Sequence, residues 1–317
     1  MPNVERLSVG VIGLGSMGLG TALSLIEGDH DVHGCDVDPA ASAALAAAGG
    51  RIGDSPAELA SRCRVLVVLV VNAAQVESVL FGDQGVVTTA APGTLIMQCA
   101  TVAPDDARRI DQRLAAHGLL MLDAPVSGGA VKAREGALSV MASGSEAAFD
   151  LAAPVLDAMA DTVHRLGDAC GAGSSVKLVN QLLAGVHIAA AAEAVALGLR
   201  LGLDARTVYD VIRVSAGNSW MFENRVPHML DGDYTPRSAV DIFVKDLGLV
   251  SDAGRALRFP LPISATALQQ FVAASAAGHG GDDDAAVIKV FARLAGLQLP
   301  GESSAGDADA ASSGGKA

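Results

Sequence analysis

With 317 residues, half of them hydrophobic and only 3% aromatic, the chain is long enough for about two domains whose core must be built from Ala, Val and Leu. Its net charge of −13 excludes nucleic acid and an anionic membrane surface as expected partners, although a cleft of opposite local charge can still bind a small anion. Four cysteines without a C-x-x-C pair, histidines without metal-ligand spacing, and an N-terminus without an apolar signal segment favour a cytoplasmic protein with no metal.

The first predicted element is a short buried strand that leads into a glycine-rich turn. Val9, Val11 and Ile12 form the apolar run of a parallel strand, and an apolar helix follows and stops at Gly28. Between them, three glycines have G-x-G-x-x-G spacing: the first permits a tight turn, the second lets a pyrophosphate approach the backbone, and the third lets the helix pack closely on the strand. Unpaired N–H groups at the helix start would then face the phosphates. We therefore expect a dinucleotide to bind at Gly13, Leu14, Gly15, Ser16, Met17 and Gly18.

The second predicted strand, Asp31 to Cys35, ends at a carboxylate that bears on the type of cofactor. Asp36 lies at roughly the twenty-residue offset at which an acid holds the adenosine ribose. A carboxylate accepts a hydrogen bond from a ribose 2′-hydroxyl and repels a 2′-phosphate. Asp38 adds a second negative charge, and no arginine follows before Arg51. The sequence therefore predicts NAD rather than NADP.

Seven consecutive apolar residues, Val65 to Val71, predict a central strand that is covered on both faces. Val71 and Asn72 stand at its carboxyl end, where ligands bind in open α/β sheets, so both are candidate cofactor contacts. Capping the helix that follows is an equally good role for Asn72.

The remaining strands predict the fold class. They lie at Leu95–Cys99, Leu119–Leu122, Leu138–Ala142 and Thr162–Leu166, with helices between them. Strands that alternate with helices predict an α/β fold in which a mostly parallel, doubly wound Rossmann sheet forms an N-terminal domain. We place this NAD-binding domain at residues 1–168.

The pattern changes to helices alone after Gly167. Residues 174–202 form one long apolar stretch, and further helices are predicted at 205–215, 238–257, 262–277 and 283–294. The long stretch has the length of a membrane span, but Ala dominates it and polar side chains interrupt it. A helix that is apolar all round is better explained as the centre of a helical domain or of a subunit interface. We expect an all-α domain for substrate binding and oligomerisation at 169–300, and a disordered tail at 301–317.

An anion-holding loop is predicted at Ser127, Gly128 and Gly129, which follow a strand. Two residues without Cβ expose backbone N–H groups, and together with the serine hydroxyl they could hold a substrate carboxylate. An ordinary glycine turn has the same spacing, and spacing alone slightly favours that interpretation.

Lys177 is the candidate proton-transferring group. It is the only lysine or arginine between Arg165 and Arg200, and it begins the long helix directly after the dinucleotide domain. In the cleft expected there, desolvation would lower its pKa toward the working pH, whereas a lysine at a helix edge is ordinarily a surface residue. Asn180, one turn later, shares its face and could orient substrate hydroxyls. Lys245 is the alternative base, with an exposed helix charge as its ordinary interpretation.

Four motifs in this order resemble the β-hydroxyacid dehydrogenase family. They are the glycine turn, the DAPVSGG run at 123–129, the G-x-G-x-x-x-K run at 171–177, and Lys245-Asp246-Leu247. The resemblance extends from Leu7 to about Leu297. It implies a Rossmann domain followed by an all-helical domain, through which the chains associate as homodimers or homotetramers.

The resemblance also implies roles for individual residues. Lys177 would be the catalytic lysine, and Ser127 to Gly129 would bind the substrate carboxylate. Thr101 and Lys245 would lie against the cofactor or the substrate. The expected reaction is the transfer of a hydride to NAD while neutral Lys177 accepts the hydroxyl proton.

The stretch 217–245 resembles the branch of the family that oxidises the 2-hydroxyl of a four-carbon sugar acid. Two positions depart from the common family pattern: Gln181 stands where an asparagine is frequent, and Ala285 where a serine is frequent. These departures leave the choice of substrate open, so a 3-hydroxyacid dehydrogenase and a semialdehyde reductase stay as alternatives. A non-catalytic NAD-binding module is an alternative of another class, which loss of the lysine would favour, and Lys177 is present. Asn218 and Trp220 are weaker candidates for hydroxyl recognition and subunit contact.

Overall fold

The computed structural model describes residues 6–301, and these residues divide into two compact units. One unit contains the chain up to Gln181 together with Asp252–Arg258, and the other contains Leu182–Ser251 and the chain from Phe259 onward. The division falls inside a long helix, whereas the sequence placed a domain boundary at 168/169. Apart from Gly301, the tail predicted at 301–317 lies outside the described residues.

The first unit is built on two sheets. The strands are β1 (Ser8–Ile12), β2 (Asp31–Cys35), β3 (Arg51–Ile52), β4 (Val65–Val68), β5 (Leu95–Gln98), β6 (Leu120–Asp123), β7 (Val126–Ser127), β8 (Leu138–Ala142) and β9 (Ala160–Arg165). Six of them form a parallel sheet in the order β3-β2-β1-β4-β5-β6. The other three form a small sheet in which β7 is antiparallel to β8 and β8 is parallel to β9. The predicted α/β class is confirmed, with the last strands in a sheet of their own.

The helices of this unit cover both faces of the large sheet. They are α1 (Ser16–Glu27), α2 (Pro39–Ala47), α3 (Pro56–Arg62), α4 (Ala73–Phe81), α5 (Pro104–Ala116), α6 (Gly129–Arg134) and α7 (Glu146–Met159). Side chains that alternate along β4 enter different cores: Val65 and Val67 pack in one cluster, Leu66 and Val68 in the other. This is the physical reason for the uninterrupted apolar run, because a strand covered on both faces has no polar side.

The strand order creates the place where a ligand can bind. Strands β1 and β4 are neighbours at the middle of the sheet, and the chain leaves them toward opposite sides, to β2 and β5. In open parallel sheets, this change of direction opens a crevice at the carboxyl ends of the strands. The turn after β1 and the loop after β4 both lie at that edge. The β4 strand ends at Val68 rather than at Val71: Leu69 N–H still donates to the Ile12 carbonyl oxygen, but Val71 N–H donates to the Gln75 side chain in the loop.

The remaining helices are α8 (Ala172–Arg200), α9 (Ala205–Ile212), α10 (Trp220–Asp231), α11 (Val240–Leu257), α12 (Pro262–Ala274) and α13 (Ile288–Ala295). Among the described residues no strand follows β9, as predicted. The sequence missed α10, although Ser219 caps its start through Phe222 N–H and Gly232 ends it at φ 64°. Pro227 lies in the helix interior, where proline normally breaks a helix, and this concealed the pattern.

Helix α8 is, among the described residues, the one helix long and apolar enough to cross a membrane by length and composition alone. In its most apolar window, 44% is buried inside the structure. Ile188, Ala192 and Val195 are completely buried within the core of the helical unit, where they pack with residues such as Phe271. This half of α8 therefore serves as a core element.

Candidate functional site

The turn after β1 has three glycines in three different environments. Gly13 adopts φ 89°, and a Cβ there would lie 2.8 Å from the Leu69 carbonyl oxygen. A Cβ on Gly18 would lie only 1.8 Å from the Gly13 carbonyl oxygen, so α1 packs directly on the turn. At Gly15, by contrast, no atom lies within 4 Å of the Cβ position. Two glycines are thus required by the fold, and the third leaves an open place beside the first N–H groups of α1, which suits a dinucleotide phosphate.

Asp36 is held in place by the backbone at the end of β2. Its Oδ2 accepts from Leu14 N–H at 2.5 Å and its Oδ1 from Asp38 N–H at 2.8 Å. The carboxylate is thereby joined to the glycine turn, while Val37 beside it is fully exposed. Each carboxylate oxygen can accept more than one hydrogen bond, so Asp36 keeps the capacity to accept from a ribose hydroxyl.

The basic residue that follows Asp36 in the sequence lies at the other edge of the sheet. Arg51 begins β3 and pairs with Asp31 at the start of β2, at 3.1 Å. The starts of parallel strands share one edge, and their carboxyl ends share the opposite one. Arg51 is therefore directed to the edge away from Asp36.

Asn72 caps α4, as one of the two predicted roles requires. Its Oδ1 accepts from Gln75 N–H at 2.9 Å, and the Gln75 side chain accepts from Val71 N–H at 2.8 Å. These reciprocal hydrogen bonds resemble a capping box and fix the loop after β4. Val71 is about half exposed on this loop.

The loop after β5 is shaped by Gln98. Its side chain accepts from Ala100 N–H at 2.7 Å and donates to Ala100 C=O at 3.0 Å. Thr101 follows as a half-buried residue before α5. The loops that follow β1, β4 and β5 thus bring Gly15, Asn72 and Thr101 to the same edge of the sheet.

The loop Ser127–Gly129 has a conformation that other residues rarely adopt. Gly128 has φ 138° and Gly129 has φ 75°, and the latter has no atom within 4 Å of its Cβ position. A Cβ on Gly128 would meet the Lys132 side chain at 2.9 Å. The serine hydroxyl and the open glycine backbone can therefore be approached by a small anion.

Lys177 lies against this loop. Its side chain is buried, with 7% exposed, and its Nζ donates to the Val126 carbonyl oxygen at 2.7 Å. Val126 directly precedes Ser127, so the amine and the loop meet through one hydrogen bond. The structure thereby brings together two features that the sequence could only propose separately.

The other two proposed substrate residues have defined partners. Asn180 Nδ2 donates to Gln181 Oε1 at 2.9 Å, and Gln181 is the residue that departs from the family pattern. Lys245, on α11 in the helical unit, pairs with the buried Asp246 at 2.8 Å. Asn218, a weaker candidate, donates to the Arg213 carbonyl oxygen and to Glu223.

Sequence reasoning missed one buried charge beside this loop. Asp123, the last residue of β6, is completely buried and accepts from Gly171 N–H, Ser174 N–H and the Ser174 hydroxyl. Burial raises the pKa of Asp123, and the hydrogen bonds from Ser174 and Gly171 act in the opposite direction. The available signal was the carboxylate at the end of an apolar strand, where a charge needs buried partners.

Residues 6–301 contain no group of three or more histidine, cysteine, aspartate or glutamate side chains that could hold a metal ion. The four cysteines are free and buried.

Two family models match consecutive parts of the chain. Residues 8–167 match the NAD-binding domain of 6-phosphogluconate dehydrogenase. Residues 171–291 match the NAD-binding model of NADP-dependent 3-hydroxyisobutyrate dehydrogenase. The first covers the unit that holds the glycine turn and Asp36, and the second covers α8 with Lys177 and the helices after it.

Individual relatives match over nearly their whole length. The L-threonate dehydrogenase of Cupriavidus necator is 60% identical over 295 residues, which are 93% of this chain and 98% of that protein. The L-threonate dehydrogenase of Escherichia coli strain K12 is 55% identical over 305 residues, 96% of this chain and all of that protein. A crystal structure of a 3-hydroxyisobutyrate dehydrogenase from Salmonella typhimurium is 56% identical, with a TM-score of 0.86 over 90% of this chain and all of that one. The chain therefore belongs to the β-hydroxyacid dehydrogenase family, the NAD-binding dehydrogenases related to 3-hydroxyisobutyrate dehydrogenase.

Proposed function

We propose that the protein oxidises the 2-hydroxyl of L-threonate to the corresponding 2-oxo acid with NAD, and that Lys177 is the general base. The observation that carries this proposal is the 2.7 Å hydrogen bond from Lys177 Nζ to the carbonyl oxygen of Val126. It fixes an amine beside a loop that suits a carboxylate. A 2-hydroxy acid needs both groups close together, because its hydroxyl and its carboxylate are on adjacent carbons.

The cofactor would be held by the carboxyl edge of the large sheet. When bound, NAD supplies the acceptor for the substrate's hydride. The residues that would hold it are Gly13, Leu14, Gly15, Ser16, Met17, Gly18, Asp36, Val71, Asn72, Thr101 and Lys245. Gly15 supports this assignment most directly, because its Cβ position is open whereas those of Gly13 and Gly18 in the same turn are blocked.

Lys177 would take the hydroxyl proton. A neutral amine has two N–H bonds and one lone pair, so it can donate to Val126 C=O and still accept a proton. The hydrogen bond orients the amine, and burial of the side chain excludes bulk water from it. When the amine accepts the proton it becomes an ammonium, which the Val126 carbonyl dipole stabilises.

The substrate itself would be positioned by polar groups on either side of its reacting carbon. The carboxylate would accept hydrogen bonds from Ser127 and from the backbone at Gly128 and Gly129. Asn180 and Lys245 would contact the hydroxyl groups.

A lysine test separates an enzyme from a non-catalytic NAD-binding module. Lys177→Ala should lower kcat by about two to four orders of magnitude, the usual value of acid–base help. Lys177→Arg should lower kcat as well, although it keeps a hydrogen-bond donor for the Val126 carbonyl, because a guanidinium is not deprotonated at working pH and cannot accept the proton. Lys289→Ala is the control, since that lysine pairs with Asp282. Unchanged kcat in both Lys177 variants would remove the proposed base.

The substrate is assigned through the relatives named L-threonate dehydrogenase and the motif at 217–245. The Salmonella structure, at similar identity, bears the name of another substrate, so 3-hydroxyisobutyrate is the alternative with a specific observation behind it. Initial rates of NADH formation with L-threonate, D-threonate, L-serine and 3-hydroxyisobutyrate distinguish them. We expect the highest kcat/KM with L-threonate. A higher value with 3-hydroxyisobutyrate would overturn the assignment and leave the role of Lys177 intact.

We also propose a preference for NAD over NADP. Asp36 would repel a 2′-phosphate, and Arg51 is paired with Asp31 at the opposite edge of the sheet. The kcat/KM for NAD should exceed that for NADP at least tenfold, and Asp36→Ser should narrow this ratio. Equal values for the wild type would contradict the prediction.

Further proposals concern domains, assembly and location. Residues 1–168 would bind NAD and 169–300 would bind substrate and associate into a homodimer or homotetramer. Exposed apolar side chains at Leu197, Leu201 and Val214 support association of the helical part, and light scattering of the purified protein tests it.

The four free cysteines and the buried core face of α8 support a cytoplasmic protein without a membrane partner.

A further inference from the structure

We propose that Asp123 is a positioning residue: its buried carboxylate holds the first turn of α8, and so sets where Lys177 stands against the Val126–Gly129 loop. This inference rests on the proposed role of Lys177. It concerns a residue that is not expected to touch substrate or cofactor and that acts through the helix it holds.

The carboxylate is bonded to the start of α8 at several points. Oδ2 accepts from Gly171 N–H at 2.8 Å and from Ser174 N–H at 2.9 Å, and Oδ1 accepts from the Ser174 hydroxyl at 2.7 Å. The first N–H groups of a helix have no partner within the helix and are normally capped by a neighbouring side chain. Here the cap comes from the end of a strand 48 and 51 residues away in sequence. The helix start is therefore joined to the sheet that leads to the loop.

Asp123 itself cannot easily shift. Its backbone N–H donates to the Ser143 carbonyl at 3.0 Å, and Ser143 N–H donates back to its carbonyl at 2.9 Å. The Ser143 hydroxyl also lies 3.3 Å from Oδ2 and accepts from Gly173 N–H at 3.0 Å. A Cβ on Gly173 would be 2.3 Å from the Met141 carbonyl oxygen. The first turn of α8 thus lies directly on this backbone, with no space in which to adjust.

The same two segments then meet a second time, at the proposed base. Asp123 and Val126 are three residues apart on one segment, and Ser174 and Lys177 are three residues apart on α8. The hydrogen bonds of Ser174 to Asp123 and of Lys177 to Val126 therefore form two points of attachment, one helical turn apart. One attachment would let α8 rotate or slide, whereas two fix its register.

The negative charge of the Asp123 carboxylate also favours its position at the start of α8. A carboxylate at a helix N-terminus interacts favourably with the positive end of the helix dipole. An amide can keep both N–H bonds by placing its oxygen where Oδ2 stands, but its NH₂ group then faces the Ser174 hydroxyl and the charge is lost, so Asp123→Asn should weaken the attachment while changing little in volume. A displacement of about 1 Å at a reacting group can cost a factor of about 100 in rate.

The test compares Asp123→Asn with Asp204→Asn in the full-length protein. Asp204 is the matched control because it caps α9 through Thr207 N–H and the Thr207 hydroxyl, yet lies outside the proposed site. The principal measurement is competitive acetylation of lysines over a pH series, with each lysine quantified by mass spectrometry. The chain has only five lysines, and Lys289 is the internal reference. Binding of NADH is measured by fluorescence, and kcat is measured on protein shown to be folded by circular dichroism.

We expect Asp123→Asn to raise the acetylation rate of Lys177 severalfold and to move the pH midpoint of that reaction, while Lys289 is unchanged. The kcat should fall by about tenfold or more, with NADH affinity within twofold of wild type. Asp204→Asn keeps a capping oxygen, so thermal stability, Lys177 labelling and kcat should all stay near wild type. Ser174→Ala removes a single hydrogen bond, so it should shift Lys177 labelling in the same direction by less, and it provides the test if Asp123→Asn does not fold.

Asp123 would be merely structural if its variant melts at lower temperature while Lys177 labelling and the pH profile of kcat match wild type, and this result would overturn the proposal. A failure of the proposed function gives a different pattern. In that case Lys177→Ala keeps its kcat, yet the labelling of Lys177 still responds to Asp123→Asn.

Discussion

The same added methyl group should have opposite effects at two glycines of the turn after β1. Gly15→Ala adds a Cβ where no atom lies within 4 Å, and Gly18→Ala adds one 1.8 Å from the Gly13 carbonyl oxygen. The folded protein has space for the methyl group at residue 15 but not at residue 18. The pair therefore separates a glycine kept for a ligand from a glycine kept for packing.

The cost at Gly18 follows from the distance. Ordinary contact begins at about 3.4 Å, so the helix and the turn must separate by about 1.6 Å. Both sides are backbone, which cannot rotate away as a side chain can. We expect the free energy of unfolding to fall by about 3 kcal/mol, the upper end for overpacking. For a chain of 317 residues that lowers the melting temperature of the cofactor-free form by roughly 4 to 5 °C.

Gly15→Ala, in contrast, should raise the free energy of unfolding. Its φ of −61° and ψ of −170° are accessible to alanine, so the substitution restricts the unfolded chain and stabilises the fold by about 0.4 to 1 kcal/mol. The methyl group would, however, occupy the place proposed for a phosphate next to the first N–H groups of α1. Loss of one charged hydrogen bond there is worth about 1.5 to 3 kcal/mol, which raises the Kd for NADH at least tenfold.

Two measurements suffice: thermal unfolding without cofactor, and fluorescence titration with NADH. Gly281→Ala is the control, because its Cβ position is equally open and lies far along the sequence from the turn. Wild-type NADH affinity in Gly15→Ala would refute the assignment of the phosphates to this turn. A wild-type melting temperature in Gly18→Ala would refute the packing argument.

Three further predictions concern charge, thiols and the loop after β4. Burial raises the pKa of Asp284 from 3.8 to about 6 despite the neighbouring Arg225, so this group favours folding most below pH 4 and costs about 3 kcal/mol once pH exceeds 6. Between pH 4 and 6 the free energy of unfolding of Asp284→Asn should therefore rise relative to that of the wild type, and a constant difference between the two proteins would contradict this. Burial raises the pKa of all four cysteine thiols, so a thiol reagent at pH 8 should leave the native protein unmodified and react with four thiols after denaturation. Rapid labelling of the native protein would disprove their burial. Asn72→Asp keeps the cap, so it should keep stability, and weaker NADH binding in this variant would mark a cofactor contact whereas unchanged binding would leave only the capping role.

The predictable part of the fold came from patterns that are local in sequence. An uninterrupted apolar run has to be covered on both faces, so Val65–Val68 could be identified as a central strand without coordinates. The glycine spacing between a strand and a helix similarly indicated the turn at Gly13–Gly18. Where a ladder stops is not local, because it depends on the neighbouring strand, and the prediction for β4 extended three residues too far.

Helix α10 and the small sheet also depend on tertiary contacts that a local sequence pattern does not contain. No helix was predicted at α10, which contains Pro227, yet its tertiary surroundings support one, with Met221, Phe222 and Val226 buried in the helical core. Strand β7 has two residues and is defined by its pairing with β8, not by any pattern of its own. Short elements of this kind have too few residues for a periodicity, so tertiary contacts decide them.

The sequence by itself determined the residue types of the site and their order: a glycine turn, an acid at the end of β2, a serine–glycine–glycine loop and a lysine at the start of a long helix. Only the tertiary structure decided that Lys177 is hydrogen bonded to Val126 and that Asp123 caps α8. Both contacts join residues 51 apart along the chain. Such contacts form because burying a polar group requires a partner, and which partner is within reach depends on how the strands and helices pack together.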